Sequence, residues 1–164
     1  MTIDNVAKTT EKTSNIKIAT PSRNYTSRSE SVKTGIFAHE ILAQLTSGKD
    51  LERVLSNYLL SGLINYDEKN SISERILGVL NNPEYAPYFA ENLEIMNEKD
   101  VLISENGIAN FYRPDRIVKS DKGLIIIDFK TGKQEEKHQK QVQNYQRILE
   151  KLNYVVAKTE IIYV

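Results

Sequence analysis

The chain has 164 residues, with 22 Lys+Arg against 22 Asp+Glu, 40% hydrophobic residues, no Cys and no Trp. That is the length of one domain and the composition of a globular protein, neither disordered overall nor fibrous. Without Cys there is no disulfide scaffold, no Cys-based zinc site and no Cys-ligated iron–sulfur cluster. No stretch approaches the roughly 20 apolar residues of a membrane span, and Met1 to Thr20 lack the apolar segment of a secretory signal. A cytoplasmic protein is expected. The zero net charge removes the simplest argument for a nucleic-acid partner, although positive charge is in surplus at both ends: six basic against three acidic residues in 1–35, and five against two in 130–147. Such runs are ordinarily solvated faces.

The first 34 residues, rich in Thr, Ser, Asn and Lys, read as a tail or linker, which leaves 35–164 as the domain. From Gly35 the apolar residues Ile36, Phe37, Ile41, Leu42 and Leu45 recur at helical spacing, and Gly48-Lys49 ends the helix. A second helix spans Leu51 to Leu60 and closes at Ser61-Gly62. A third opens at Ser71-Ile72-Ser73-Glu74, which has the form of a capping box. Asn82-Pro83 starts a short fourth turn.

The period then changes. Leu93 to Ser104 reads as a strand, Asn106-Gly107 as a hairpin turn and Ile108 to Val118 as the returning strand. After the polar turn Ser120 to Gly123, the unbroken run Leu124-Ile125-Ile126-Ile127 suggests a central strand buried on both faces. Gln134 to Leu152 is an amphipathic helix, and Lys158 to Val164 a last strand. The expected architecture is one mixed sheet flanked by helices in a single α/β domain.

The chemistry gathers at the turn between these strands. With Lys119 facing Leu124 across the turn, counting back along both strands sets Asp115 opposite Asp128, a position where Cβ atoms lie about 4.5 to 5.5 Å apart. Two carboxylates so placed repel unless a divalent cation sits between them, and hard oxygen ligands are what Mg²⁺ takes. Strand alternation puts Lys130 on the face of Asp128. This set suits phosphodiester hydrolysis: the cation neutralises developing charge and acidifies an attacking water, and the Lys positions that water and stabilises the pentavalent state. Asp-x-Lys alone is a common tripeptide, more often a strand end with an exposed Lys than a site. His39 has small residues, Gly35 and Ala43, one turn away on either side; a lone helical His is more often structural than a ligand. Gln141 and Tyr145, four apart, share a helix face, the Tyr reading by itself as core and the Gln as rim. Glu98 reads as a surface charge.

Taken in order, Gly35-x-x-x-His39, Arg113-Pro114-Asp115-Arg116, Ile127-Asp128-Phe129-Lys130-Thr131-Gly132 and Gln141-x-x-x-Tyr145 resemble the motifs of the RecB-type nuclease domain of the PD-(D/E)XK superfamily. The resemblance runs from about residue 21 to the C-terminus and is closest to the C-terminal nuclease domain of bacterial AddA/RecB, UvrD-like helicase–nucleases. It implies a restriction-endonuclease-like fold and a metal-dependent deoxyribonuclease of DNA repair and recombination, read here as an exonuclease in preference to an endonuclease. In that family His39, Asp115 and Asp128 would bind the divalent metal, Mg²⁺ with Mn²⁺ able to substitute. Lys130 would be the family lysine, and Gln141 and Tyr145 would help hold the site and the DNA backbone. Phe129 stands where Tyr is frequent, which touches no ligand. Zero Cys excludes the branch, AddB-type and CRISPR-associated, that carries an iron–sulfur cluster. The expected partners are DNA, as a single strand threaded past the metal, and a helicase motor. No G-x-x-x-x-G-K-[ST] phosphate loop occurs in the 164 residues, so that motor is supplied in cis by a longer protein, which the linker-like N-terminus favours, or in trans. No membrane is expected among the partners. Two alternatives stand beside this reading. One is a catalytically silent DNA-binding module that regulates a helicase; relatives of that kind lose a metal ligand or the Lys, and all four residues are present here. The other is an unrelated α/β protein, which would show no metal-dependent thermal shift.

Overall fold

The helical spacing that begins at Gly35 extends further back in the computed structural model, which describes residues 30–97, 101–105 and 108–164. Helix α1 runs Glu30–Gln44, five residues earlier than the apolar pattern announces, because its first turn carries polar residues that periodicity does not register. It buries Phe37, Ala38, Ile41 and Leu42. A 3₁₀ turn, Gly48–Asp50, follows, with the Asp50 carboxylate accepting the Ser47 N–H at 2.9 Å. Helix α2, Leu51–Leu60, has the expected bounds, and Gly62 at φ 71° supplies the left-handed residue that turns the chain.

Helix α3 differs from expectation. It spans Tyr66–Leu80 and is capped by Asn65, whose side chain accepts the Glu68 N–H at 2.9 Å while the Glu68 carboxylate accepts the Asn65 N–H at 2.8 Å. Ser71-x-x-Glu74 lies inside the helix. Both sequences have the form of a capping box, and the earlier one caps the helix, whose buried face is Ile72, Ile76 and Val79. After it, Asn82 caps the Glu84 N–H at 2.9 Å, and the chain enters a 3₁₀ turn, Ala86–Phe89, that buries Tyr88 and Phe89.

The two long strands expected on either side of Asn106-Gly107 are each divided. The first becomes β1, Ile95–Asn97, and β2, Val101–Glu105; the second becomes β3, Ile108–Tyr112, and β4, Arg116–Ser120. Pro114 accounts for the break before β4, since it has no N–H to give the ladder. Strands β2 and β3 pair as a separate two-stranded sheet, while β1 and β4 join β5, Gly123–Lys130, and β6, Val156–Tyr163, in the order β1-β4-β5-β6. Residues 106 and 107, and Glu98, lie outside the described residues. The pairs β1/β4 and β4/β5 are antiparallel; β5/β6 is parallel, bridged by α4, Glu136–Lys151.

The sheet separates two apolar layers. Ile127 and Phe129 pack with the core of α1 to α3, whereas Leu124 and Ile126 pack with Val142, Tyr145 and Leu149 of α4. Burial of each such Ile or Leu contributes roughly 1.5–3 kcal/mol. This explains the unbroken apolar run: β5 is central and covered on both faces. Among the described residues no helix is long and apolar enough to cross a membrane.

Candidate active site

The register is the one that the four-residue turn predicts. Ser120 pairs with Gly123, Lys119 with Leu124 and Arg116 with Ile127, so the next step sets Asp115 across from Asp128, at the point where Pro114 opens the ladder. Asp128 and Lys130 continue the Leu124/Ile126 face towards α4.

Four residues meet here directly. Asp115 Oδ2 accepts the Phe129 N–H at 2.7 Å and lies 3.1 Å from His39 Nε2, with the ring nitrogen as donor because a carboxylate can only accept. His39 in turn stands edge-on to Phe129, centroids 6.0 Å apart. The Lys130 ammonium forms an ion pair with Asp128 Oδ2. That oxygen, on a side chain 1% exposed, is buried and has the ammonium as its one partner among the described residues.

The electrostatics follow from this crowding. Burial pushes the Asp128 carboxyl above its ordinary pKa; Lys130 opposes the shift and the neighbouring Asp115 charge adds to it. Burial alone would lower His39, yet the hydrogen bond and charge of Asp115 prevail and the net shift is upward, with Lys130 opposing and Asp128 assisting. On α4, Gln141 Nε2 donates to the Tyr145 hydroxyl at 2.7 Å, and that hydroxyl donates to the Arg113 carbonyl at 3.3 Å. Burial raises the Tyr145 phenol, against the Gln141 bond and helped by the charges of Asp128 and Asp115.

Thus His39 bonds to Asp115, Lys130 pairs with Asp128, the charges of the two pairs act on one another, and Tyr145, bonded to Gln141, reaches the backbone that leads into Asp115. Among the described residues no three His, Cys, Asp or Glu side chains converge as a ready-made metal cage: His39 is turned onto Asp115, and Lys130 covers Asp128. The donor set nevertheless fits a hard cation. It comprises two neighbouring carboxylates and an imidazole, with one carboxylate oxygen buried against the Lys130 ammonium and without another partner among the described residues.

Other residues support the site without having signalled it. Arg116, fully buried, donates from Nε to the Tyr88 carbonyl, from Nη1 to the Leu45 carbonyl and Asn97 Oδ1, and from Nη2 to the Thr46 carbonyl, and it lies 4.7 Å over the Phe89 ring. It thereby ties the end of α1, which carries His39, to the start of β4, beside Asp115. Burial lowers its pKa to about 10, which still leaves it charged at neutral pH. Gly35 lets α1 approach the loop after β5: a Cβ there would meet Thr131 Cγ2 at 3.2 Å. Spacing did flag Gly35, as the small residue one turn before His39; nothing in the sequence marks Arg116 as buried.

A mixed sheet with helices on both sides, whose central strand ends in Asp-x-Lys opposite a second Asp, is the restriction-endonuclease-like class of α/β fold. Residues 15–163, almost the whole chain, match the model of the PD-(D/E)XK nuclease superfamily. The chain belongs to that superfamily, whose name spells the motif present here as Pro114-Asp115 and Asp128-Phe129-Lys130. No curated protein matches the chain.

Proposed function

We propose that this chain is a metal-dependent deoxyribonuclease in which Asp115, Asp128 and His39 hold Mg²⁺, with Mn²⁺ able to substitute, and Lys130 assists the attacking water. The observation that carries this reading is the nearness of Asp115, bonded to the Phe129 N–H, to Asp128, whose buried oxygen has the Lys130 ammonium as its one partner among the described residues. Spare, negatively charged capacity of that kind is costly to a fold and useful to a cation. When bound, the cation supplies neutralisation of the charge that develops as water adds to phosphorus and one P–O ester bond breaks.

The chain's own groups have separable parts. Lys130 brings a cation to the reacting phosphate, where it can orient the water and stabilise the crowded phosphorus. The Phe129 N–H bond holds Asp115 against the end of β5. Tyr145, bonded to the Arg113 carbonyl, fixes the turn before Asp115, and Gln141 is held by Tyr145 at the rim, where it can meet the DNA backbone. The order of motifs supports the finer reading, that this is the nuclease module of an AddA/RecB-type helicase–nuclease in repair or recombination. In that reading a cytoplasmic motor in cis or in trans delivers a single DNA strand, cut exonucleolytically, and the residues before helix α1 are the linker.

The test is cleavage of end-labelled single- and double-stranded DNA with Mg²⁺, Mn²⁺ or EDTA, beside Asp128→Ala. Metal-dependent products absent from the variant are expected. Metal-stabilised protein that binds DNA and never cuts it would instead support the silent module.

A further inference from the structure

Helix α4 carries a third polar side chain on the face of Gln141 and Tyr145. His138 lies three residues before Gln141 and seven before Tyr145, so all three line one side of the helix. It is 6% exposed although its neighbours Lys137 and Gln139 are open to solvent. Its Nδ1 is 3.0 Å from the Tyr163 hydroxyl, with the rings 5.8 Å apart. Tyr163 is in turn the register partner of Lys130, and the following Val164 N–H donates to the Lys130 carbonyl at 2.9 Å. Neighbouring residues of paired parallel strands point to the same side, so the Tyr163 ring stands alongside the Lys130 side chain. The bond therefore joins the first turn of α4 to the strand position next to Lys130.

Two such bonds hold α4 over the sheet. One is Tyr145 to the Arg113 carbonyl, beside Asp115; the other is His138 to Tyr163, beside Lys130. Gln141 lies between them. Apolar packing is non-directional and leaves a helix free to roll or slide by fractions of an ångström, whereas a hydrogen bond weakens steeply outside its preferred angle and distance. A buried imidazole beside a half-buried phenol is costly for simple filling unless the two bond to one another.

We propose that His138 and Tyr163 are positioning residues, which set the first turn of α4 so that Gln141 and Lys130 keep their places across the Asp115–Asp128 pair. This rests on the nuclease reading above and deepens it. Neither residue touches the reacting atoms.

The test compares single-turnover cleavage of end-labelled DNA by the full chain, by Tyr163→Phe, which keeps the ring and removes the hydroxyl, by His138→Leu and by His138→Asn, whose amide can stand in for Nδ1. Tyr163→Phe and His138→Leu should each cut the rate at saturating DNA about ten- to a hundredfold, the usual consequence of misplacing a site by an ångström or less. KM for DNA should stay the same, and the double variant should be no slower than either single variant. His138→Asn should restore most of the rate. Equal rates for the full chain and Tyr163→Phe would overturn the assignment and leave the nuclease reading intact. So would losses that multiply in the double variant, or that His138→Asn fails to relieve, because they indicate general destabilisation. A full chain that never cleaves DNA with either metal overturns both readings together, which separates the two failures.

Discussion

Two buried charges stand almost side by side in this sheet and are treated in opposite ways. Arg116, on β4, is enclosed by acceptors that cannot move: three backbone carbonyls, an Asn97 oxygen and the face of Phe89. Asp128, one residue beyond Arg116's register partner on β5, keeps a buried oxygen met by the Lys130 ammonium alone among the described residues and is pushed towards its protonated form by burial. The first charge is used up by the fold, since nothing remains for a ligand to take. The second is left with capacity, and that is the property expected where a site must bind a cation. Burial alone therefore does not mark a functional charge; the state of its hydrogen bonds does.

Substitutions sharpen this contrast. Asp128→Ala should lower metal-dependent cleavage on the order of a thousandfold, about 4 kcal/mol in the barrier. The fold should lose little, and Asp128→Asn should raise the melting temperature at neutral pH. A carboxyl whose pKa is raised in the folded state stabilises the fold only while protonated, and that contribution disappears as pH rises through the folded pKa. An Asp128→Asn protein that melts lower than the parent in EDTA would refute the view that this charge works against the fold. Arg116→Met should do the reverse, costing roughly 3 kcal/mol in denaturant unfolding because the Thr46 and Tyr88 carbonyls lose their donor, while Leu45 keeps only Asn97. Unchanged stability would show that water replaces the guanidinium.

The same opposition holds at the two ends of β5. At the end remote from Asp128, Gly123 has φ 125°, and a Cβ there would stand 2.5 Å from the Val155 carbonyl oxygen, where the Leu124 N–H already donates at 2.8 Å. Gly123→Ala should cost about 2 kcal/mol through backbone strain and overlap, with the cleavage rate of the folded fraction unaltered. A rate that falls in the fully folded variant would tie that turn to the site after all. The smallest effect is expected at His39, whose raised pKa means that protonation stabilises the fold. That contribution is complete below the ordinary value of 6.5 and is lost as pH rises through the folded pKa. Melting temperatures in EDTA should therefore decline across that window, and His39→Gln should flatten the decline. A parallel decline in the variant would assign it to other groups.

Much of this was legible in the sequence because it depends on local rules. The turn Ser120 to Gly123 specifies the register, the register opposes Asp115 to Asp128, and alternation puts Lys130 on the face of Asp128. The bounds of α2 follow from its apolar spacing and Gly62. Where two local signals competed, the sequence did not arbitrate: Asn65-x-x-Glu68 and Ser71-x-x-Glu74 both have the form of a capping box, and only the first caps the helix. Pro114 carried the signal that divides the strand, yet only the paired sheet shows that β3 leaves it to join β2.

Arg116 and His138 mark the boundary most clearly. Composition and spacing identify one as a cation beside a motif Asp and the other as a polar residue on the face of Gln141 and Tyr145. Which of them is buried, and what each bonds to, depends on residues up to 71 positions away in the chain. The sequence by itself determined the bounds of α2, the β4/β5 register and the face that Asp128 shares with Lys130, because those follow from periodicity and turn geometry within a few residues. Only the tertiary structure decided which buried charges are satisfied and which are left with capacity, because hydrogen-bond partners are assigned by the packing of distant segments.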